Sequence, residues 1–74
     1  MTRKKPKDAW VQDILKAAED EFIEKGYEGA TMDSIAARAS LSKGALYHHF
    51  LSKDDILIAV NLAYLEALEP LISH

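Results

Sequence analysis

Residues 31–53 read TMDSIAARASLSKGALYHHFLSK, and the spacing of their apolar side chains decides the fold. Thr31 suits a helix cap, and Asp33 falls in the first turn, where the helix dipole favours an anion. Ile35, Ala36 and Ala39 form the inner face of that short helix, and its small alanines let a neighbouring helix come close. The pattern stops at about Ala39, and Ser40 and Leu41 make a turn with Leu41 pointing inward. Ser42 caps a third helix, from Lys43 to about Phe50, whose Leu46 and Phe50 lie one turn apart and face the core. At about 100° per residue, Lys43, Gly44, Ala45, Tyr47 and His48 project from the other side, and His49 lies on the flank. The stretch from Ser42 to Phe50 spans roughly 13 Å at about 1.5 Å per residue, which suits a DNA major groove about 12 Å wide.

Working outward, Asp8 can cap a first helix. Val11, Ile14, Leu15, Ala18, Phe22 and Ile23 recur at helical steps, with Asp13, Lys16, Glu19, Asp20 and Glu24 on the opposite side. Gly26 can end that helix in a left-handed conformation, with Tyr27 packing back on the last turn. Glu28, Gly29 and Ala30 then read as a loop. Downstream, Ser52 opens a fourth helix with S-K-D-D, close to a capping box with Asp55. Its apolar stripe is Ile56, Leu57, Val60, Ala63, Tyr64, Ala67 and Leu68, broadened by Leu62 and Leu65. Pro70 ends the pattern, and Leu71 and Ile72 add apolar side chains with little left to bury them.

The chain has 74 residues, a net charge of −3 and no cysteine. That length suits one small domain, which buries only about 60% of its unfolded surface. Without cysteine, neither a disulfide framework nor a Cys-based zinc site holds it together. No apolar run approaches the roughly 18 residues of a membrane span, and the basic N-terminus lacks the apolar stretch of a secretory signal. The expectation is a soluble cytoplasmic protein.

The charge is unevenly spread. Residues 1–7 hold Arg3, Lys4, Lys5 and Lys7 and no acid, whereas residues 8–74 hold 5 basic and 12 acidic residues. Between Ser34 and Lys53, however, there are three basic residues, Arg38, Lys43 and Lys53, and no acidic one. A locally basic surface on an acidic chain points first to nucleic acid. The N-terminal tail reads as a solvated segment or as an arm that adds phosphate or minor-groove contacts. Catalysis is not expected. His48 and His49 diverge by about 100°, no carboxylate in 34–53 orients them, and neither a metal nor a cofactor is implied.

The series Ile14-Leu15, Ala17-Ala18, Phe22, Gly26-Tyr27, Thr31, Ile35-Ala36 and Leu41-Ser42-Lys43-Gly44-Ala45-Leu46-Tyr47-His48-His49-Phe50, followed by Ser52-Lys53, resembles the TetR family of transcriptional regulators. The resemblance implies an all-α fold, a three-helix, homeodomain-like helix-turn-helix bundle plus the first part of a fourth helix. Residues 1–8 would then be a basic tail. Residues 9–60 would form the DNA-binding domain, with the helix-turn-helix at about 31–50. Residues 61–74 would be the remainder of helix four, leading to a C-terminal ligand-binding and dimerisation domain that this chain lacks. Helix three would enter the major groove, and the intact protein would be a ligand-responsive repressor, a homodimer on a palindromic operator in double-stranded DNA. Ending at His74, the chain itself is expected to be largely monomeric. Ser40 departs from the family, many of whose members have glycine there.

The resemblance also assigns roles. Thr31 and Ser42 cap their helices and add phosphate contacts through hydroxyl or nearby amides. Lys43 reads as a solvated lysine or as a groove contact to a phosphate or a guanine, the latter favoured because it points away from Leu46 and Phe50. Gly44 and Ala45 let the backbone approach DNA, and Ala45 can meet a thymine methyl. The Tyr47 hydroxyl reaches phosphate while its ring covers sugar. His48 stays open between base contact, phosphate contact and neither. His49 matches a phosphate-contacting histidine, with helix packing as its alternative, and Lys53 matches a phosphate-binding lysine. Arg38 has only its charge in favour of DNA and reads as solvated. A competing reading is a helical protein-interaction module that docks through helix four.

Overall fold

Ile14, Ala18, Ile35, Ala36, Leu46, Ile56 and Val60 meet in one core, to which every helix contributes. The computed structural model describes the backbone of residues 7–72 and the side chains of residues 9–65. Its helices are α1 (Lys7–Gly29), α2 (Met32–Arg38), α3 (Lys43–His49) and α4 (Lys53–Ile72). α1 packs on both α2 and α4, and α2 packs on α3. This is the all-α bundle expected from the sequence.

α1 begins one residue before Asp8, so Asp8 lies in its first turn rather than capping it. Ala17 and Glu21 complete the buried face with Ile14 and Ala18, at steps of three and four. Ile23, expected on that face, is 77% exposed, because it lies about 100° round from Phe22. Gly26 breaks the helix with φ 77° and ψ 164°, a conformation that costs a side-chain-bearing residue. Phe22 and Tyr27 close over the break with ring centroids 5.6 Å apart. Glu28 and Gly29, expected in a loop, instead form a helical turn, sealed by the Ala30 amide donating to Gly26 O at 3.1 Å.

α2 starts in a reciprocal cap. The Ser34 amide donates to Thr31 Oγ1, and the Thr31 amide donates to Ser34 Oγ, both at 3.0 Å. Its end is a Schellman turn. The Leu41 amide reaches Ala36 O at 2.8 Å and the Ser40 amide reaches Ala37 O at 3.1 Å, with Ser40 at φ 61°. Leu41 then packs against the core, as the sequence implies. The Ser42 and Ser52 hydroxyls cap α3 and α4 by accepting from the Ala45 and Asp55 amides.

Arg38 is not the solvated residue its sequence context suggests. Its Nε donates to Glu21 Oε2 at 2.6 Å, and its other end donates to Glu24 Oε1 at 2.9 Å, tying the last turn of α2 to α1. Glu21 is only 2% exposed, a charge that burial alone would make expensive. Its Oε1 faces Lys25 Nζ at 3.1 Å as an ion pair, without hydrogen-bond alignment. The Ser34 hydroxyl, Lys25 and Arg38 together hold the carboxyl down at about 2, against the upward push of burial.

α4 is apolar on two opposite sides. Ile56 and Val60 are buried against α1, while Ile58, Leu62 and Leu65, about half a turn round, stand in solvent. It also runs on through Pro70 to Ile72, where the sequence expected a stop. One proline in a final turn removes one hydrogen bond and leaves the turn itself in place. The side chains of Ala67, Leu68, Leu71 and Ile72 lie outside the described residues.

Two outcomes test this packing. Ser40→Gly relieves a positive φ that costs an L-residue about 1 kcal/mol, and should raise the thermal midpoint by roughly 4–8 °C in a domain of this size. A midpoint that fell would show that Ser40 gains more from its side chain than it loses in strain. The second outcome concerns acid. Because the Glu21 pKa is lowered from 4.5 to about 2, its stabilising effect is present in full above 4.5 and is lost as pH falls toward 2. Glu21→Gln should therefore be less stable than the parent at neutral pH and approach it at low pH in denaturant titrations. A constant difference across that window would remove Glu21 from the acid response.

Candidate nucleic-acid interface

α3 is held by one fully buried side chain, Leu46, with Phe50 packed beside it at the helix end. That anchor fixes which way the other side chains face. Lys43, Gly44, Tyr47 and His48 are exposed, while Ala45 and His49 are half-buried. The outward face is thus the expected one, except that Ala45 presents less of itself than its place in the first turn implied. The His48 and His49 rings meet edge-on, centroids 5.3 Å apart, which stiffens the far end of the helix.

An ion pair links the first turns of α2 and α3. Lys43 Nζ reaches Asp33 Oδ1 at 3.1 Å, so Thr31, Asp33, Ser42 and Lys43 belong to one edge of the molecule. Both partners are mostly exposed, and such a pair contributes about 0–1 kcal/mol, so an incoming phosphate can displace the carboxylate at little cost. Counting charges from Ser34 onward in the sequence missed Asp33 by one residue.

The three basic residues of the stretch therefore do not form the free basic patch that composition suggested. Arg38 is committed to Glu21 and Glu24. Lys53 Nζ donates to Tyr27 O at 2.7 Å and to Ala30 O at 2.9 Å, inside the fold. Lys43 is the cation left at the α3 edge, and it shares that edge with Asp33. Glu21 and Ser34, which sequence reading passed over, help to set α2 in place, and Asp33, read only as a first-turn anion, pairs with Lys43. Only Ser34 left a local signal, the T-x-x-S spacing from Thr31.

Gly44 carries the clearest message. A Cβ built there would meet nothing within 4 Å, so no internal contact demands glycine. Yet glycine inside a helix costs about 0.8–1 kcal/mol relative to alanine. Gly44 is exposed, so the backbone there is left bare to solvent.

Among the described residues no three His, Asp or Glu side chains gather as metal ligands. None of the helices is long and apolar enough to cross a membrane. An open groove between α1 and α4, floored by Leu15, Val60 and Ala63, contains no residue of α2 or α3.

Two short helices joined by a tight Schellman turn, the second presenting an outward polar face with a bare glycine, define a helix-turn-helix protein. Residues 14–60 match the family model described as bacterial regulatory proteins, tetR family. The chain belongs to that family. It is 46% identical over 55 residues to the HTH-type transcriptional activator FasR of Mycolicibacterium smegmatis, covering 74% of this chain and 25% of FasR. It is 43% identical over 49 residues to the HTH-type transcriptional regulator UidR of Escherichia coli K12, covering 66% of this chain and 25% of UidR. The HTH-type transcriptional repressor AcnR of Corynebacterium glutamicum is 41% identical over 49 residues, 66% of this chain and 26% of AcnR. A crystal structure of a HlyIIR mutant protein superposes with a TM-score of 0.76 at 29% identity, over 78% of this chain and 32% of that one. The chain thus spans about a quarter of the length of the curated relatives it matches.

Gly44→Ala should separate stability from binding. Alanine stabilises α3 by up to about 1 kcal/mol, so the thermal midpoint should rise while affinity for duplex DNA falls. Calorimetry alongside fluorescence anisotropy reads both. If affinity rose together with the midpoint, Gly44 would owe nothing to an outside surface.

Proposed function

We propose that this chain is the DNA-binding part of a transcriptional regulator, with α3 lying in the major groove. The observation that carries the reading is the outward face of α3, fixed by Leu46 and bare at Gly44. Lys43 contacts a phosphate or a guanine, and Tyr47 sets its hydroxyl on phosphate. Gly44 and Ala45 admit the backbone to the groove, and His48 and His49 extend the contact along the helix. Thr31 and Ser42 add phosphate contacts at the starts of α2 and α3. The family pattern also gives Lys53, at the start of α4, a phosphate contact.

In its intact form the protein acts in the cytoplasm as a ligand-responsive repressor, a homodimer whose two α3 helices read a palindromic operator. The two-fold arrangement is what a short recognition helix needs, because half-sites about 34 Å apart double the contact that one helix supplies. Among the relatives, AcnR is named a repressor and FasR an activator, so the direction of control belongs to each intact protein.

A second reading is favoured by one observation, the exposed stripe Ile58, Leu62 and Leu65 on α4. On that reading the chain is a helical module that docks on another protein and leaves DNA alone. Salt-dependent binding decides between the two. The parent should bind duplex DNA with an affinity that falls steeply as salt rises. Lys43→Ala and Tyr47→Ala should each weaken it by about 1–3 kcal/mol without unfolding the chain. An absence of salt-sensitive binding in the parent would support the docking module instead.

A further inference from the structure

Two polar ties flank α2, one from its last turn and one at the junction that precedes it. At its C-terminal end Arg38 reaches Glu21 and Glu24 of α1. At the junction the tie comes from α4, where Lys53 Nζ donates to Tyr27 O at 2.7 Å and to Ala30 O at 2.9 Å. The same ammonium lies 4.2 Å from the centroid of the Tyr27 ring, which packs on Phe22. Both carbonyls belong to the segment between the Gly26 break and the Thr31 cap. The carbonyls at the end of a helix lack the partners that interior ones have, and a lysine can satisfy them. An ammonium carries three N–H groups. Two are committed here and a ring covers one flank, which leaves a single N–H for any phosphate.

The position of this clasp matters more than its count of bonds. Residues 30 and 53 bracket the whole helix-turn-helix, so one ammonium joins the two points between which α2, the Ser40 turn and α3 are strung. α3 has one fully buried side chain, Leu46, and it packs on α2. Its placement therefore follows that of α2, and α2 is seated by the core and by these two ties.

We infer that Lys53 is a positioning residue for DNA binding, whose ammonium clasps the Tyr27 and Ala30 carbonyls and so sets the seat of the helix-turn-helix on α1 and α4. The inference rests on the DNA-binding reading above and replaces the phosphate contact that the family pattern gives to this lysine. A clasp and a phosphate ligand leave different traces. Removing a phosphate ligand lowers the salt dependence of binding by roughly one ion. Removing a clasp weakens binding while the number of ions released stays the same, and it loosens the start of α2.

The test uses the 74-residue chain and a mixed-sequence duplex, titrated across a range of salt, with Lys43→Ala as the reference for a direct contact. Lys53→Met keeps the stem and removes the charge. It should weaken binding about fivefold, the scale of one net hydrogen bond, with an unchanged salt slope. Amide exchange at Thr31 and Ser34 should quicken by about tenfold as the local ties loosen. If Lys53→Met does not fold, Lys53→Gln, with its shorter neutral amide, carries the same comparison. A salt slope lower by about one with unchanged exchange would make Lys53 a phosphate ligand and overturn the inference. Faster exchange with undiminished affinity would reduce the clasp to a stabilising contact, which also overturns it. A parent chain without salt-sensitive binding would sink the DNA-binding reading itself, a result separable from the others because Lys43→Ala would then have no effect either.

Discussion

Seven residues are too few to hold a helix in water, and α2 and α3 have seven each. Everything the molecule presents to the outside hangs on the side chains that pin those two helices to the longer ones. Ile35 and Leu46 are fully buried, and each pins one short helix. The alanines around them, Ala18 and Ala36, keep the backbones close enough for so few side chains to fill the space. Truncating Leu46 would remove the anchor of α3 together with its contacts, so the face at Lys43 and Tyr47 exists only while the core does.

Polar ties then refine what apolar burial sets up. Glu21 is a charge inside the fold, and removing Arg38 from it would leave that charge uncompensated, a costlier change than loss of a surface pair. Lys53 does the equivalent for carbonyls at the end of α1, just ahead of α2. The two ties use opposite chemistries, a buried carboxylate and a set of orphaned backbone oxygens, and both recruit a cation that a reading of charge alone would assign to DNA. The result is a helix-turn-helix whose edge is less basic than its composition implies.

How much of this was legible in the sequence depended on the range of the interaction. Thr31, Ser42 and Ser52 could be read as caps because a hydroxyl reaches an amide only three residues away. Gly26 and Ser40 declared their backbone conformations because a helix must end there, and the left-handed exit is a local affair. Leu46 and the outward face of α3 followed from helical period alone. The pairings of Arg38 and Lys53 went unread because their partners lie 14 to 26 residues away, and no local pattern announces such contacts. Ile23 failed for a subtler reason. It is as apolar as Ile14, but the core is narrow, and the buried face turned toward Ala17 and Glu21, which hydrophobicity would rank below it. The direct contacts assigned to Thr31, Lys43, Tyr47 and the two histidines rest on the family pattern joined to that exposed face.

The outer face of α4 has a consequence for the heat of unfolding. Ile58, Leu62 and Leu65, together with Ile23 and Leu51, are already more than half wet in the folded chain. Unfolding gains little new apolar hydration from them, and apolar hydration is what raises the heat capacity. A chain of 74 residues would ordinarily show a heat-capacity change of about 0.9–1.1 kcal/mol/K. This one should fall below that, with a correspondingly shallow dependence on denaturant. Its stability curve is then broad and low: the fold loses little on cooling, gains little at its optimum, and melts over a wide span of temperature.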